Sequence, residues 1–190
     1  MTEIDSIRPV GPLPLSPQRI QWLHPGDVAL AERGERLDTL LGSCVAVLLS
    51  DPQRTAGVMC HIVHAVNRRG ANPGDTRYGP AALERMLELM MAKGYAFSKC
   101  HAWLCGGGNM FPQQLIDKPI GEANVQWARE QLHRLGLQIV GESVGGPHYR
   151  KVIWTVGSPA PDIDVMPVQV NEYSNKEAPN DGTHQGISDR

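Results

Sequence analysis

A strongly apolar segment broken by two small residues constrains this fold more than any other feature of the chain. Thr39–Leu49 (TLLGSCVAVLL) is too apolar for a half-exposed strand, so it predicts a buried strand that is interrupted at Gly42-Ser43. Asp51-Pro52 then turns the chain, and Gly57–Val63 (GVMCHIV) predicts the returning strand. Together the two segments predict a β-hairpin in the core.

Two amphipathic helices and several short strands complete the predicted folded unit. Pro80–Lys93 predicts the clearest helix, because its apolar residues recur at i, i+3, i+4 and i+7 and Pro80 suits a first turn. A second helix is predicted at about Gly121–Leu135. Further strands are predicted near residues 101–104, 137–140, 151–156 and 163–170. This order indicates an α+β fold with layered mixed β-sheets flanked by helices.

The chain of 190 residues is long enough for one domain with a sizeable core. We expect a single folded domain over residues 21–170. Residues 1–20 are rich in proline and lack periodicity, so they predict an extended or disordered arm. Residues 171–190 are polar and almost free of large apolar side chains, which predicts a disordered tail.

Charge and hydropathy exclude several classes of partner. The net charge is −2 and no run of Lys and Arg exceeds two residues, which disfavours nucleic acid and anionic membranes. No apolar stretch approaches the ~20 residues of a membrane span. The N-terminal residues have no basic region followed by an apolar one, so a secretory signal is not expected. These features predict a cytoplasmic protein whose cysteines stay reduced.

Among the four cysteines, Cys44 has the best setting for a nucleophile. It follows the break at Gly42-Ser43, where a thiol can turn toward a cleft. Backbone N–H groups beside it could stabilise the thiolate and hold the oxyanion formed when sulfur attacks an amide carbonyl. The alternative is that Cys44 is simply a small core residue, as free cysteines often are.

A cysteine nucleophile needs a base, and His61 lies on the strand predicted to pair with the Cys44 strand. A buried histidine with a purely structural role is the alternative. A third residue should orient the imidazole. Asp38 would share the face of Cys44 in a regular strand and Thr39 would not, but a bulge at Gly42-Ser43 would reverse this.

Metal and phosphate sites are weaker interpretations of the remaining residues. Cys60, His61 and His64 lie close together, but the spacing matches no paired zinc motif, so no metal site is predicted. The Gly106–Gly108 run lacks the lysine and hydroxyl residue of a phosphate-binding loop. Its glycines instead predict a close approach of the backbone to the Cys44 cleft.

Several of these segments together resemble the CheD family, the chemoreceptor glutamine deamidases. The resemblance covers about Leu37 to Val156 and rests most on the L-G-S-C-V element with a histidine 17 residues after the cysteine. The matching segments occur in the family's order: Thr39–Val47, Gly57–His61, Arg77-Tyr78, Leu104–Phe111, Ile120–Val125 and Gly145–Val152.

The resemblance implies the cysteine-hydrolase fold of bacterial toxin deamidases and a Cys-His-Thr site. Cys44 matches the nucleophile and His61 the base. The third residue is Thr39 or, if the family's position lies one residue earlier, Asp38. Backbone groups of Ser43, Gly106 and Gly107 are the expected oxyanion donors.

The implied reaction converts glutamine side chains of methyl-accepting chemotaxis receptors to glutamate, and it needs no metal or organic cofactor. A CheC-type phosphatase is an implied second partner. A regulatory binding module with little catalysis is the main alternative, and a cysteine protease is another.

Overall fold

The computed structural model describes residues 19–169 apart from four positions in one loop, together with two isolated residues near the N-terminus. The four are Gln113, Leu115, Ile116 and Lys118, and the two are Pro12 and Ser16. The predicted tail lies outside the described residues, as does most of the predicted arm.

Nine strands and two α-helices occur in the described part of the chain. The strands are β1 (Ile20–Leu23), β2 (Val28–Glu32), β3 (Arg36–Leu41), β4 (Val45–Ser50), β5 (Ala56–Cys60), β6 (His101–Gly106), β7 (Gln138–Val144), β8 (His148–Thr155) and β9 (Asp162–Pro167). The helices are α1 (Gly79–Ala92) and α2 (Ile120–Arg134), and a short 3-10 helix spans Phe97–Lys99. Neither α-helix is long and apolar enough to cross a membrane.

The strands form two mixed sheets. One has the order β2-β5-β4-β6-β7, in which only β6 and β7 run parallel. The other has the order β1-β3-β8-β9, in which only β1 and β3 run parallel. The predicted α+β class with layered mixed sheets is thereby confirmed at this level.

The five-stranded sheet lies between the helices and the four-stranded sheet. On its helix side, residues such as Val47, Val58 and Leu104 pack against Met86 of α1 and Leu132 of α2. Its other side packs against the four-stranded sheet in a second apolar cluster. Both helices therefore lie on one face of the five-stranded sheet, and the second sheet covers the opposite face.

The predicted hairpin is present as β4 and β5, which pair antiparallel with Leu48 opposite Met59. The prediction of one interrupted strand over Thr39–Leu49 was wrong, because the segment contains parts of two strands, β3 and β4. β3 and β4 belong to different sheets, and the chain crosses between them at residues 42–44. The break is thus a crossover between two layers, because the small residues let the chain leave one sheet and enter the other.

Candidate active site

Cys44 and His61 are brought together where the hairpin extends past its strand ends. Val45 and Ile62 exchange both backbone hydrogen bonds, at 3.0 and 2.8 Å, in the same register as the rest of the pair. Cys44 and His61 are therefore diagonal neighbours whose side chains share a face. That face is directed at the four-stranded sheet, since Cys44 packs against the cluster between the sheets.

The His61 imidazole contacts Thr39 of β3 across the space between the two sheets. Nδ1 of His61 lies 2.8 Å from Oγ1 of Thr39, and both residues are buried. The Thr39 hydroxyl also lies 2.9 Å from the carbonyl oxygen of Leu23. A carbonyl can only accept, so the single hydroxyl proton goes to Leu23 and the hydroxyl accepts from Nδ1–H of His61.

This hydrogen-bond chain fixes the tautomer of His61. With the proton on Nδ1, the lone pair lies on Nε2. Nε2 is buried and has no hydrogen-bond partner among the residues that the structure describes. A buried nitrogen without a partner is costly, and here it leaves a basic lone pair free on the face that His61 shares with Cys44.

Asp38 lies on the opposite face of β3 from Thr39. Its carboxylate accepts two hydrogen bonds from Arg36, from Nε at 2.8 Å and from Nη2 at 2.7 Å. The structure therefore brings Thr39 to the imidazole and directs Asp38 to a different partner. Strand parity from Cys44 had favoured Asp38, but parity does not carry across a chain that changes sheets.

Burial disfavours charge on both members of the Cys44–His61 pair. It raises the pKa of the Cys44 thiol, an effect that the Cys44 backbone N–H partly offsets. It lowers the pKa of His61, with the Leu23 carbonyl and Asp27 opposing the shift. Both shifts have the same effect, because each favours the uncharged form of its group.

The predicted oxyanion donors divide into two groups. Within the described residues, the backbone N–H groups of Ser43 and Cys44 donate no hydrogen bond, so they are free to bind an oxyanion. The N–H of Gly107 donates to the carbonyl of Cys44 at 2.7 Å, and that of Gly108 donates to Gly42 at 2.8 Å. The prediction for Gly107 therefore needs correction, because its N–H holds the Cys44 segment in place and is already occupied.

Gly106 supports the same segment by close packing. It pairs with Val45 at the end of the β4–β6 ladder, with φ of +103°. A Cβ built at this position would overlap the carbonyl oxygen of Cys44. The predicted close approach of the glycine run to the Cys44 segment is thus present, and its effect is to brace the backbone around the thiol.

Asn124 of α2 is a site residue that the sequence reasoning missed. It is 1% exposed, and its Nδ2 donates to the carbonyls of Ser43 and Val63, both at 3.0 Å. It therefore ties the segment before Cys44 to the segment after His61. A signal was present, since Asn124 lies one turn before the buried Ala128 on the apolar face of α2.

Comparison with known proteins identifies the family. The CheD model, described as CheD chemotactic sensory transduction, matches residues 64–160. A relative from Pseudomonas syringae pv. tomato, a probable chemoreceptor glutamine deamidase CheD, is 34% identical over 155 residues, 79% of this chain and 91% of the relative. This chain belongs to the CheD family. A CheD relative of the same description from Pseudomonas fluorescens is 36% identical, over 70% of this chain and 76% of its own.

The similarity extends to archaeal CheD proteins and, more weakly, to a solved structure. A probable chemoreceptor glutamine deamidase CheD from Methanococcus maripaludis is 33% identical over 64% of this chain and 79% of its own. The crystal structure of Bacillus licheniformis hypothetical protein YfiH is similar with a TM-score of 0.39 and 16% identity, over 67% of this chain and 60% of that one.

The other cysteines and the second histidine of this CheD chain have settings that differ from those of Cys44 and His61. Burial raises the pKa of Cys60 and of Cys105 to about 12, and that of Cys100 to about 11. The ring of His64 stacks on Tyr78 with centroids 5.5 Å apart. No three His, Cys, Asp or Glu residues of the described chain are grouped so as to hold a metal ion.

Proposed function

We propose that this protein hydrolyses glutamine side-chain amides of methyl-accepting chemotaxis receptors to glutamate, releasing ammonia. Cys44 is the nucleophile, His61 the general base and acid, and Thr39 the residue that orients His61. Relatives that are 36% and 34% identical to this chain over the aligned residues are named probable chemoreceptor glutamine deamidases, which supports the substrate class.

One observation carries the assignment of the residues. The Thr39 hydroxyl holds Nδ1 of His61 at 2.8 Å, and Nε2 is left buried and unpaired on the face shared with Cys44. A cysteine nucleophile requires a base whose free nitrogen can reach the thiol and whose other nitrogen is held by a third group. A histidine with a purely structural role would instead have both nitrogens satisfied.

The first half of the reaction forms a thioester. Nε2 of His61 takes the thiol proton as the Cys44 sulfur bonds to the amide carbon of the glutamine side chain. The carbonyl oxygen becomes an oxyanion, which accepts hydrogen bonds from the free N–H groups of Ser43 and Cys44. The C–N bond then breaks, and His61 returns its proton to the departing amide nitrogen, so that ammonia leaves.

The second half releases glutamate by the same groups. Water loses a proton to Nε2 of His61 and adds its oxygen to the thioester carbon. The same N–H groups hold the second oxyanion. The carbon–sulfur bond breaks and the sulfur regains a proton from His61. The receptor side chain leaves as a carboxylic acid, which then gives its proton to bulk water and becomes a carboxylate. No metal or organic cofactor enters any step.

The compartment, the finer fold and a second partner belong to the same proposal. All four cysteines are free thiols, which supports a reducing cytoplasm. The arrangement of Cys, His and Thr between two sheets supports the cysteine-hydrolase fold of toxin deamidases. A CheC-type phosphatase would bind over the Cys44 cleft, and it should protect the thiol from alkylation if it does.

The test is the mass of a receptor cytoplasmic fragment after incubation with the protein. Deamidation adds about one dalton for each glutamine and leaves the chain intact, because only a side-chain amide is hydrolysed. We expect this gain with the wild-type protein and none with Cys44→Ala. Ammonia release should follow the same pattern.

The other outcomes would identify the competing functions. Receptor fragments of lower mass would indicate a cysteine protease. An unchanged receptor that nevertheless binds the protein would indicate a regulatory binding module. Equal deamidation by the wild-type protein and by Cys44→Ala would refute the role given to Cys44.

A further inference from the structure

Asn124 uses both protons of its side-chain amide on the backbone beside the proposed catalytic pair. Nδ2 lies 3.0 Å from the carbonyl oxygen of Ser43 and 3.0 Å from that of Val63. Two carbonyl oxygens can only accept, so the amide nitrogen must face them and its orientation is unambiguous. The residue thereby joins α2 to both strands of the extended hairpin.

The contact with Ser43 fixes the direction of the Cys44 N–H. The Ser43 carbonyl and the Cys44 N–H belong to one planar trans peptide, so they point in opposite directions. Holding the carbonyl on the side of Asn124 directs the N–H away from α2. A hydrogen bond to the carbonyl also polarises the peptide and strengthens its N–H as a donor.

The Cys44 N–H has the features of an oxyanion donor. It donates to no acceptor among the described residues, and it lies close enough to its own sulfur to lower the pKa of the thiol. A backbone donor beside the nucleophile is preorganised only if its peptide plane cannot rotate. Gly107 holds the next carbonyl, that of Cys44, at 2.7 Å, so both carbonyls flanking this N–H are restrained.

We propose that Asn124 is a positioning residue that locks the Ser43–Cys44 peptide with its N–H directed at the developing oxyanion. The inference rests on the proposed function of Cys44. Packing alone does not account for Asn124, because its neighbours on the same face of α2, Val125 and Ala128, are apolar and a buried amide costs desolvation. The two carbonyls it satisfies explain why an amide stands there.

Two reactions of the Cys44 thiol separate this role from a structural one. p-Nitrophenyl acetate acylates the thiol through an oxyanion: sulfur bonds to the acetyl carbon, the ester C–O bond breaks and p-nitrophenolate leaves. Iodoacetamide alkylates the same sulfur at a saturated carbon, displacing iodide without any oxyanion. The ratio of the two rate constants therefore reports the oxyanion donor, once the rates measured with Cys44→Ala are subtracted.

Asn124→Leu keeps a side chain that branches at Cγ and removes both hydrogen bonds. We expect it to lower the ratio of acylation to alkylation by about tenfold or more, since losing one oxyanion donor outright costs about 10²–10³-fold. The kcat of receptor deamidation should fall in parallel while KM changes little. Asn124→Ser, which can satisfy at most one carbonyl at a time, is the second variant if Asn124→Leu does not fold, and it should also lower the ratio.

Leu132→Ala is the matched control, because it removes a buried side chain from the same face of α2, two turns further on. It should lower the melting temperature and leave the ratio at the wild-type value. A wild-type ratio in folded Asn124→Leu and Asn124→Ser would overturn the inference. If the wild-type protein does not deamidate receptors but the ratio falls as expected, the proposed function fails and the role of Asn124 stands.

Discussion

The two faces of the β4–β5 hairpin differ in one place, and that place is the candidate site. The face toward the helices is apolar throughout and includes Cys60. The face toward the four-stranded sheet is equally apolar at Ala46 and Met59, but beyond the strand ends it carries Cys44 and His61. Both faces of the hairpin are packed along the strands. The candidate catalytic residues therefore lie just beyond the strand ends, where the close packing stops.

Cys60 and Cys44, one on each face of the hairpin, differ in burial and in surroundings. Cys60 is fully buried and its pKa is raised to about 12, so it stays a neutral thiol throughout the physiological range. Cys44 is only partly buried and lies beside free backbone N–H groups. Adjacency to His61 in the chain does not bring a thiol to the imidazole, because the side chain of Cys60 packs on the helix-facing side of the hairpin.

Among the substitutions that test the difference between the two faces, removing the proposed base is expected to lower activity most. His61→Ala should lower the kcat of receptor deamidation by about 10²–10⁴-fold, the usual contribution of a general acid–base group. Ammonia release at saturating receptor fragment measures it. His64→Ala, whose ring stacks on Tyr78, is the control and should keep the wild-type rate. Equal losses in both variants would contradict the assignment.

Removing the contact between Thr39 and His61 across the two sheets should cause the next largest loss of activity. Thr39→Val keeps the shape and removes the hydroxyl that orients His61, so we expect a kcat about tenfold to a hundredfold lower, as misplaced catalytic groups cause. Thr39→Ser keeps the hydroxyl and should retain most of the activity. Single-turnover thioester formation, followed by mass, would measure the step directly.

Asp38→Asn is the matched control for Thr39, since it changes the neighbouring residue on the opposite face of β3. Its expected effect is on stability, because the carboxylate pairs with Arg36. A lost deamidation rate in Asp38→Asn, together with a normal rate in Thr39→Val, would reverse the assignment of the third residue.

The pH dependence should reflect the burial of His61. Burial holds the pKa of His61 below its ordinary value of 6.5, and the neutral imidazole is the form that accepts the thiol proton. The acidic midpoint of the activity should therefore lie below pH 6.5, where His61 becomes protonated. A profile of kcat/KM from about pH 4.5 to 8 tests this, and an acidic midpoint at or above 6.5 would contradict it.

The sequence was sufficient to predict the helices and the hairpin, whose residue patterns lie within short stretches of the chain. Pro80–Lys93 was predicted as a helix and Gly79–Ala92 is observed; the second helix is displaced by one residue. The pairing of the two hairpin strands followed from two apolar runs around a turn. β1 and β2 were not predicted, because neither shows a clear alternation of apolar and polar residues.

The parts that the sequence could not predict depend on contacts between layers. An apolar run of eleven residues looks the same whether it is one strand or two, so the crossover at residues 42–44 was not apparent. Leu40, which is 47% exposed, shows that β3 is not buried on both faces along its whole length. The choice between Thr39 and Asp38 followed from that crossover. The hydrogen bond from the Gly107 N–H to the Cys44 carbonyl could not be predicted either, because it depends on how two segments distant in the chain pack together.

The smallest effect on activity is expected from a substitution on the helix-facing side of the hairpin. Cys60→Ala removes a buried sulfur and should lower the free energy of unfolding by about 1 kcal/mol, as deleting one buried methyl-sized group does. Deamidation per folded molecule should not change, because the side chain of Cys60 packs on the helix side of the sheet. Urea unfolding and ammonia release on the same sample measure the two quantities. Cys44→Ala should give the opposite pattern, and a loss of activity in folded Cys60→Ala would show that the two faces are coupled.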